Sequence, residues 1–199
     1  MKPTIQPRFE ANLKRVENLV EFYQRETGGA RGRSSVHESD LLRAAVVLLH
    51  ATLEDLIRSL SEWKLPERPV DSFREIPFYR EEHRSAEKFT LVDLAALRGR
   101  EVNDVMKESV HAWLARQSYN GKEQLSAALC RLGFVGDEFH RFDDDLDAMM
   151  KRRHLIAHRA DWNQAPGSGQ HRARSLQSAT VQEWLTVVRL FGAMLLDAS

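Results

Sequence analysis

The stretch "DLLRAAVVLLHATLEDLIRSLSEW", residues 40–63, decides the fold of this chain. Its apolar side chains recur with the helical period of about 3.6 residues and cover a broad arc of the helix surface. A helix at the surface of a protein needs only one narrow apolar stripe, so an arc this wide predicts a helix that is covered on several sides. Ser39 or Asp40 is its predicted N-cap. The stretch therefore predicts the buried centre of a helical bundle.

Helical periodicity continues on both sides of this stretch, and no useful strand alternation interrupts it. An N-terminal helix is predicted over 9–27, ending at Gly28-Gly29, and a C-terminal helix over 178–197. Four further helical patterns lie between them, in "FTLVDLAALRG", "EVNDVMKESVHAWLARQS", "KEQLSAALCRLG" and "DEFHRFDDDLDAMMKRRHLIAH". The segment "KLPERPVDSFREIPFYREEHRS" has three prolines and no period, which predicts a long connection. We expect an all-α, irregular bundle of six or seven helices.

The composition of the chain is that of an ordinary globular domain and indicates no particular partner. The chain has 199 residues, with 29 basic and 29 acidic side chains. Its length predicts a single domain over 1–199, and its zero net charge means that any affinity for anions must come from a local patch. Cys130, at an apolar helical position, cannot form a disulfide within the chain, and the N-terminus has no signal-peptide pattern. We expect a cytoplasmic protein with no membrane partner.

The most unusual local pattern is "KRRHLIAHRAD", residues 151–161, which holds six potentially cationic side chains. His154 and His158 have the i, i+4 spacing of metal ligands, but the pattern lacks the glutamate of His-Glu-x-x-His, and Asp161 is the one obvious third ligand. The aspartates just upstream fit a helix N-terminus better than a calcium loop. We expect no bound metal and no other cofactor.

Two other interpretations of this pattern remain. It is either a phosphate-binding site or a set of cations that only complement the C-terminal end of a helix. A guanidinium such as that of Arg153 can hold two phosphate oxygens, and a histidine such as His158 can move a proton near neutral pH. RNA carries its own nucleophile, the 2′-hydroxyl, so its cleavage needs no metal. On an ideal helix, however, Arg153 and His158 point about 140° apart. They can converge if the helix ends before His158, or if two copies of the chain meet across a two-fold axis.

Three segments of the chain resemble the HEPN superfamily. "RRHLIAHRAD" is similar to its signature of an Arg, a polar residue and a His after four to six intervening positions. "LLRAAVVLLHATLEDLIRSL" and "LARQSYNGKEQLSAALCRLGF" resemble the second helix and the pre-motif segment of the branch called RiboL-PSP-HEPN. Together the resemblance covers roughly residues 38–162.

This resemblance implies an all-α domain that forms a homodimer with a shared active-site groove. Many members are metal-independent endoribonucleases of toxin–antitoxin, anti-phage, stress-response or RNA-processing systems, and some have a cognate antitoxin. Arg153 and His158 would be the catalytic pair, and cleavage would leave a 2′,3′-cyclic phosphate. His154 occupies the position of the polar residue, which leaves open which histidine transfers the proton. Other members bind RNA or protein without cutting, and a helical immunity or antitoxin partner is a third possibility.

Further residues are candidates for supporting roles. Glu54 lies on the second helix between His50 and Arg58; the three form either an exposed salt-bridge ladder or a polar line on which Glu54 orients Arg153 or a motif histidine. We include Glu54 among the candidate catalytic residues. Candidate RNA contacts are the cations Lys151, Arg152 and Arg159, with the loop arginines Arg31, Arg33, Arg172 and Arg174 as weaker candidates.

Overall fold

The structure is a computed structural model that describes residues 2–27, 36–78, 90–162 and 173–199. The described residues form seven α-helices: α1 Lys2–Glu26, α2 Val36–Lys64, α3 Leu91–Ala96, α4 Val102–Leu114, α5 Lys122–Leu132, α6 Asp143–Arg159 and α7 Ser178–Asp197. Three 3₁₀ turns lie at Leu65–Glu67, Val70–Phe73 and Asp137–Phe142. Within these ranges the one β-type contact is an isolated bridge between Trp162 and Ala173. The predicted all-α bundle is confirmed.

Helix α2 is the central element, as its wide apolar arc predicts. It packs against α1, α4, α5, α6 and α7. Leu49, Leu53 and Leu60 are fully buried along its length. The predicted N-cap is wrong, because the helix begins at Val36 and both Ser39 and Asp40 lie within it. The Asp40 carboxylate instead pairs with the Arg43 guanidinium at 3.1 Å, one turn further along.

Two other helix boundaries differ from the prediction. Helix α1 begins at Lys2 rather than at Phe9 and contains Pro7 in its second turn, where the backbone hydrogen bond to the carbonyl of residue 3 is missing. The Gly28-Gly29 stop lies outside the described residues. The pattern over 137–158 is two elements, a 3₁₀ turn followed by α6, which carries three aspartates in its first turn. Negative charge there complements the helix dipole, as expected.

Helix α7 matches its predicted limits and closes the core. Among the described helices it is the one that is long and apolar enough to cross a membrane. One face of it is nevertheless buried in the bundle, through Val181, Val188 and Phe191. A Cβ atom added at Gly192 would lie 2.3 Å from Phe9 Cζ, so this glycine allows α7 to approach α1 closely. These contacts make α7 a core helix of the bundle.

Single side chains of the other helices are placed partly as predicted. Trp63, Trp113 and Trp184 are half-buried against the core, as their positions on apolar faces suggested. Cys130 is exposed, although it sits in an apolar pattern. The buried face of α5 is formed by Leu125, Ala128, Leu129 and Leu132. At about 100° per residue Cys130 points about 150° away from the centre of that face, so the predicted apolar position of Cys130 is wrong.

Candidate functional site

The motif lies on the last two turns of α6, and the helix is unbroken through Arg159. His158 therefore keeps helical geometry, and the possibility that the helix ends before it is wrong. At about 100° per residue, Arg153 and His158 point about 140° apart on one chain. Arg153 lies on the side of α6 that buries Met149 and Met150, whereas His158 is exposed to solvent. One chain thus presents the two candidate catalytic residues on different faces.

His154 and His158 lie together on the exposed face. Their ring centroids are 4.6 Å apart, with an interplanar angle of 45°. Both side chains are exposed, so a substrate can reach either ring. Among the described residues, no group of three or more His, Cys, Asp or Glu side chains could hold a metal ion. Two neighbouring, exposed imidazoles are groups that general acid–base catalysis can use.

Arg153 is half-buried and points toward the segment that precedes α5. Its Nη1 donates a hydrogen bond to Asn120 Oδ1 at 3.2 Å. Its Nε is buried and has no hydrogen-bond partner within the described residues. Asn120 is a site residue that the sequence reasoning missed, because the Asn-Gly pair indicated only a turn. The available signal was its place inside the family-like segment "LARQSYNGKEQLSAALCRLGF".

The polar line on α2 holds this segment in place and is not an exposed ladder. His50 is 1% exposed, and its Nε2 lies 2.9 Å from the Tyr119 carbonyl oxygen. Glu54 Oε1 accepts a hydrogen bond from the Tyr119 backbone N–H at 3.1 Å. Arg58 donates to the backbone carbonyls of Leu114 and Gln117. The structure thus brings Glu54 to the chain segment that presents Asn120 to Arg153, and a catalytic role for Glu54 stays a prediction.

His50 and Arg153 also interact electrostatically. Burial lowers the pKa of His50, and the nearby Arg153 charge lowers it further, against the opposing effects of the Tyr119 carbonyl and the Glu54 carboxylate. A neutral His50 donates from Nε2 to Tyr119, so its Nδ1 is a free acceptor. That Nδ1 is buried without a partner in the described structure, as is the Nε donor of Arg153.

Replacing Arg153 should therefore change the protonation of His50. In R153Q the pKa of His50 should rise, because the nearby positive charge is gone while burial is little changed. A pH titration of the His50 ring signals by NMR measures this shift. The control is R159Q, which removes a charge from an exposed position of the same helix. Equal His50 titration in wild type and R153Q would contradict the coupling.

The sign of the stability effect follows from the direction of the His50 shift. Its pKa is lower in the folded protein, so the unfolded chain binds more protons once the pH falls below about 6.5. The contribution of a neutral His50 to stability is complete above that pH and is lost as the pH falls toward the folded-state pKa. The groups that face it, Glu54, Tyr119 and Arg153, come from three separate elements.

A second polar cluster, which we call the clasp, lies just after the motif and consists of Arg43, Arg152 and Asp161. Asp161 is fully buried, and its Oδ2 accepts from Arg43 Nε at 2.9 Å and from Arg152 Nη2 at 2.7 Å. Both arginines also donate to the Arg174 carbonyl. The Asp161 carboxylate, the one obvious third ligand in the sequence, is thus engaged by these two arginines. The clasp joins α2, the end of α6 and the chain before α7.

The remaining candidate RNA contacts fall into three groups. Arg152 donates its hydrogen bonds within the clasp, so a phosphate contact would have to share a guanidinium that already has partners. Lys151 and Arg159 are exposed, and Lys151 pairs with Asp147 at 2.5 Å, which raises the pKa of the lysine. Arg174 is exposed as well. The loop candidates Arg31, Arg33 and Arg172 lie outside the described residues.

Comparison with known protein families matches residues 10–183 to RiboL-PSP-HEPN. The matched range contains α2 to α6, the segment that carries Asn120 and the whole arginine–histidine motif. No curated protein and no solved structure gave a significant match. The matched range is most of the chain and extends beyond residues 38–162, where the three resembling segments lie. The chain belongs to the RiboL-PSP-HEPN family.

Proposed function

We propose that the protein is a metal-independent endoribonuclease that cleaves single-stranded or loop RNA, in the cytoplasm and in a toxin–antitoxin, anti-phage or stress-response setting. Family membership supports the coarser statement that the domain is a ribonuclease or an RNA-binding module. The finer proposal rests on one observation: two exposed imidazoles lie side by side on the helix that also carries Arg153. Unpaired RNA is the favoured substrate because its 2′-hydroxyl can rotate into line with the leaving oxygen.

The reaction needs three actions from the chain. A histidine of the pair takes the proton from the 2′-hydroxyl, whose oxygen then attacks the adjacent phosphorus. The bond from phosphorus to the 5′-oxygen breaks, and a histidine returns a proton to that oxygen. The products are a 2′,3′-cyclic phosphate and a 5′-hydroxyl. Arg153 stabilises the additional negative charge on the phosphate in the transition state, which is the task of a fixed guanidinium.

Two copies of the chain would complete this site. Arg153 and His158 point about 140° apart on an unbroken helix, so one chain does not direct both at the same phosphate. A two-fold axis near the end of α6 would place Arg153 of one copy opposite the histidine pair of the other. Asn120 then holds the Arg153 guanidinium from within its own chain. The proposal therefore includes a homodimer with a shared groove. In a toxin–antitoxin setting, a cognate antitoxin would cover this groove.

Cleavage in EDTA with defined ends is the direct test. Purified wild type is incubated with a mixed RNA pool, beside R153A and H158A, and the new ends are identified. We expect cyclic-phosphate ends from wild type, and a loss of about a thousandfold or more in each variant, because both general acid–base and charge stabilisation contribute on that scale. H154A decides which histidine is essential: a comparable loss would assign proton transfer to both rings.

A binding module without cleavage is the competing function, and one observation favours it. Arg153 is half-buried and already bonded to Asn120, whereas a group that meets a phosphate is expected to be accessible. Under this alternative, folded and dimeric wild type binds RNA but leaves it intact in EDTA. Cleavage that appears only with added divalent metal would instead return the histidine pair to the role of metal ligands.

A further inference from the structure

A groove runs beside the motif, between α6, the residues before α7 and the first turns of α7. It encloses about 530 Å³ and is open to solvent. On one side it is lined by Lys151, Arg152 and Leu155 of α6, and on the other by Arg174, Thr180 and Trp184. The clasp fixes its floor, because Arg152 Nη2 donates to the carbonyl oxygens of both Arg174 and Ser175, at 3.0 Å each. Hydrogen bonds within the folded chain therefore hold the two sides of the groove together.

Charge in this groove has one sign. Three of its lining side chains are cationic, and no carboxylate lines it in the part of the chain that the structure describes. The Asp161 partner of Arg152 is fully buried beneath it, and the Lys151 side chain stays exposed while its ammonium group pairs with Asp147 at the rim. Helix α7 has no acidic residue in its first turn, so its positive dipole end adds to the same field. The groove is thus complementary to a negatively charged ligand.

Apolar surface accompanies the charge. Leu155 and the half-buried indole of Trp184 line the groove with the cations. An aromatic ring beside a cationic surface binds unpaired nucleotides, because each base has a face that can stack and each nucleotide brings a phosphate. An acidic peptide would use the charge but would not need the ring.

The groove adjoins the candidate catalytic face. Lys151 lies three residues before His154, and Leu155 lies three residues before His158, so the two faces of α6 are neighbours. We propose that the groove binds one nucleotide of single-stranded RNA next to the nucleotide at the histidine pair, with its phosphate at Lys151 and Arg174 and its base toward Leu155 and Trp184. This site rests on the proposed function, because it takes the same RNA strand.

A matched pair of substitutions tests the groove without disturbing the fold. T180E places a carboxylate in the groove, and A179E places one at the preceding exposed position, which does not line it. Both new charges lie in the first turn of α7, where acidic side chains are favourable, so both variants should fold. The probe is a fluorescent 2′-O-methyl RNA hexamer, which lacks the nucleophile and cannot be cleaved. By anisotropy we expect T180E to weaken binding about tenfold and A179E less than about twofold.

Salt dependence gives a second measurement on the same probe. R174A should reduce the slope of log affinity against log salt by about one, the value for one lost phosphate contact. R15A, at an exposed position of α1, should leave the slope unchanged. Three results would each contradict nucleotide binding in the groove. They are equal affinities of T180E and A179E for the hexamer, an unchanged salt slope in R174A, and competition by an acidic hexapeptide that equals competition by RNA.

The two proposals fail separately. If wild type binds the hexamer, T180E weakens this binding, and wild type does not cut natural RNA, then the groove proposal stands and the ribonuclease proposal fails. If wild type cuts natural RNA while T180E and A179E bind the hexamer equally, then the ribonuclease proposal stands and the groove proposal fails. Wild type that does not bind the hexamer overturns the groove.

Discussion

An equal mixture of R153A and H158A should cleave RNA at about a quarter of the wild-type rate, although neither variant cleaves alone. Random exchange makes half of the dimers mixed. In each mixed dimer one of the two sites combines the intact Arg153 of one chain with the intact His158 of the other. The rate is measured in EDTA after the two proteins have been unfolded together and refolded, or have exchanged subunits.

The expectation follows from the geometry of α6. The helix continues through Arg159, and Arg153 points toward Asn120 while His158 lies in solvent beside His154. If each site took both residues from one chain, a mixed dimer would contain no intact site. Restored activity therefore shows that Arg153 and His158 of one site come from different chains. Loss of activity in the single variants does not show this.

The matched control replaces H158A by the double variant R153A/H158A. Mixed with R153A, it gives dimers in which every site lacks an arginine, so no activity should return. A mixture of R153A and H158A that stays inactive, while gel filtration shows mixed dimers, would contradict the shared groove. Restoration in the control mixture would contradict the need for Arg153.

Periodic features of the molecule follow from the sequence. The apolar arc of residues 40–63 predicts the central position of α2, since a helix with so wide an apolar surface must be covered by several neighbours. The stripe in residues 178–197 predicts α7 with its limits. The motif predicts the residues of the candidate site, and an ideal helix predicts their divergence, which the unbroken α6 confirms. These are local properties, set by the order of side chains along one helix.

Partners that are distant along the chain could not be predicted in the same way. Asn120 contacts Arg153 across 33 positions, and Asp161 contacts Arg43 across 118. Such pairs depend on how the helices pack, and no spacing rule on one helix encodes them. Arg152 illustrates the consequence: its neighbours in sequence suggest a phosphate contact, whereas packing places its guanidinium against Asp161.

Replacing Asp161 by alanine should destabilise the protein by about 3–5 kcal/mol, the largest stability effect expected from a polar residue of this fold. Asp161 is fully buried, and its carboxylate compensates the guanidinium groups of Arg43 and Arg152, which are themselves mostly buried. Removing it leaves Arg152 without its anion and Arg43 with only the Asp40 carboxylate at the surface, in a site poorly reached by water. Its backbone φ of 59° adds to the cost, because alanine tolerates the left-handed region less well than aspartate. Urea unfolding measures the difference.

Two further variants separate charge from packing and burial. D161N keeps the shape, one acceptor oxygen and the tolerance for a positive φ, so about 1–3 kcal/mol should be lost. D71A breaks an arginine–aspartate pair that is exposed on both sides, Asp71 with Arg74 at 2.7 Å, and should change stability by less than about 0.5 kcal/mol. Equal effects of D161A and D71A would mean that water reaches the clasp. A large effect of D161A with none of D161N would assign the stability to shape rather than to charge, and the clasp would then hold the end of α6, and with it His158, by packing alone.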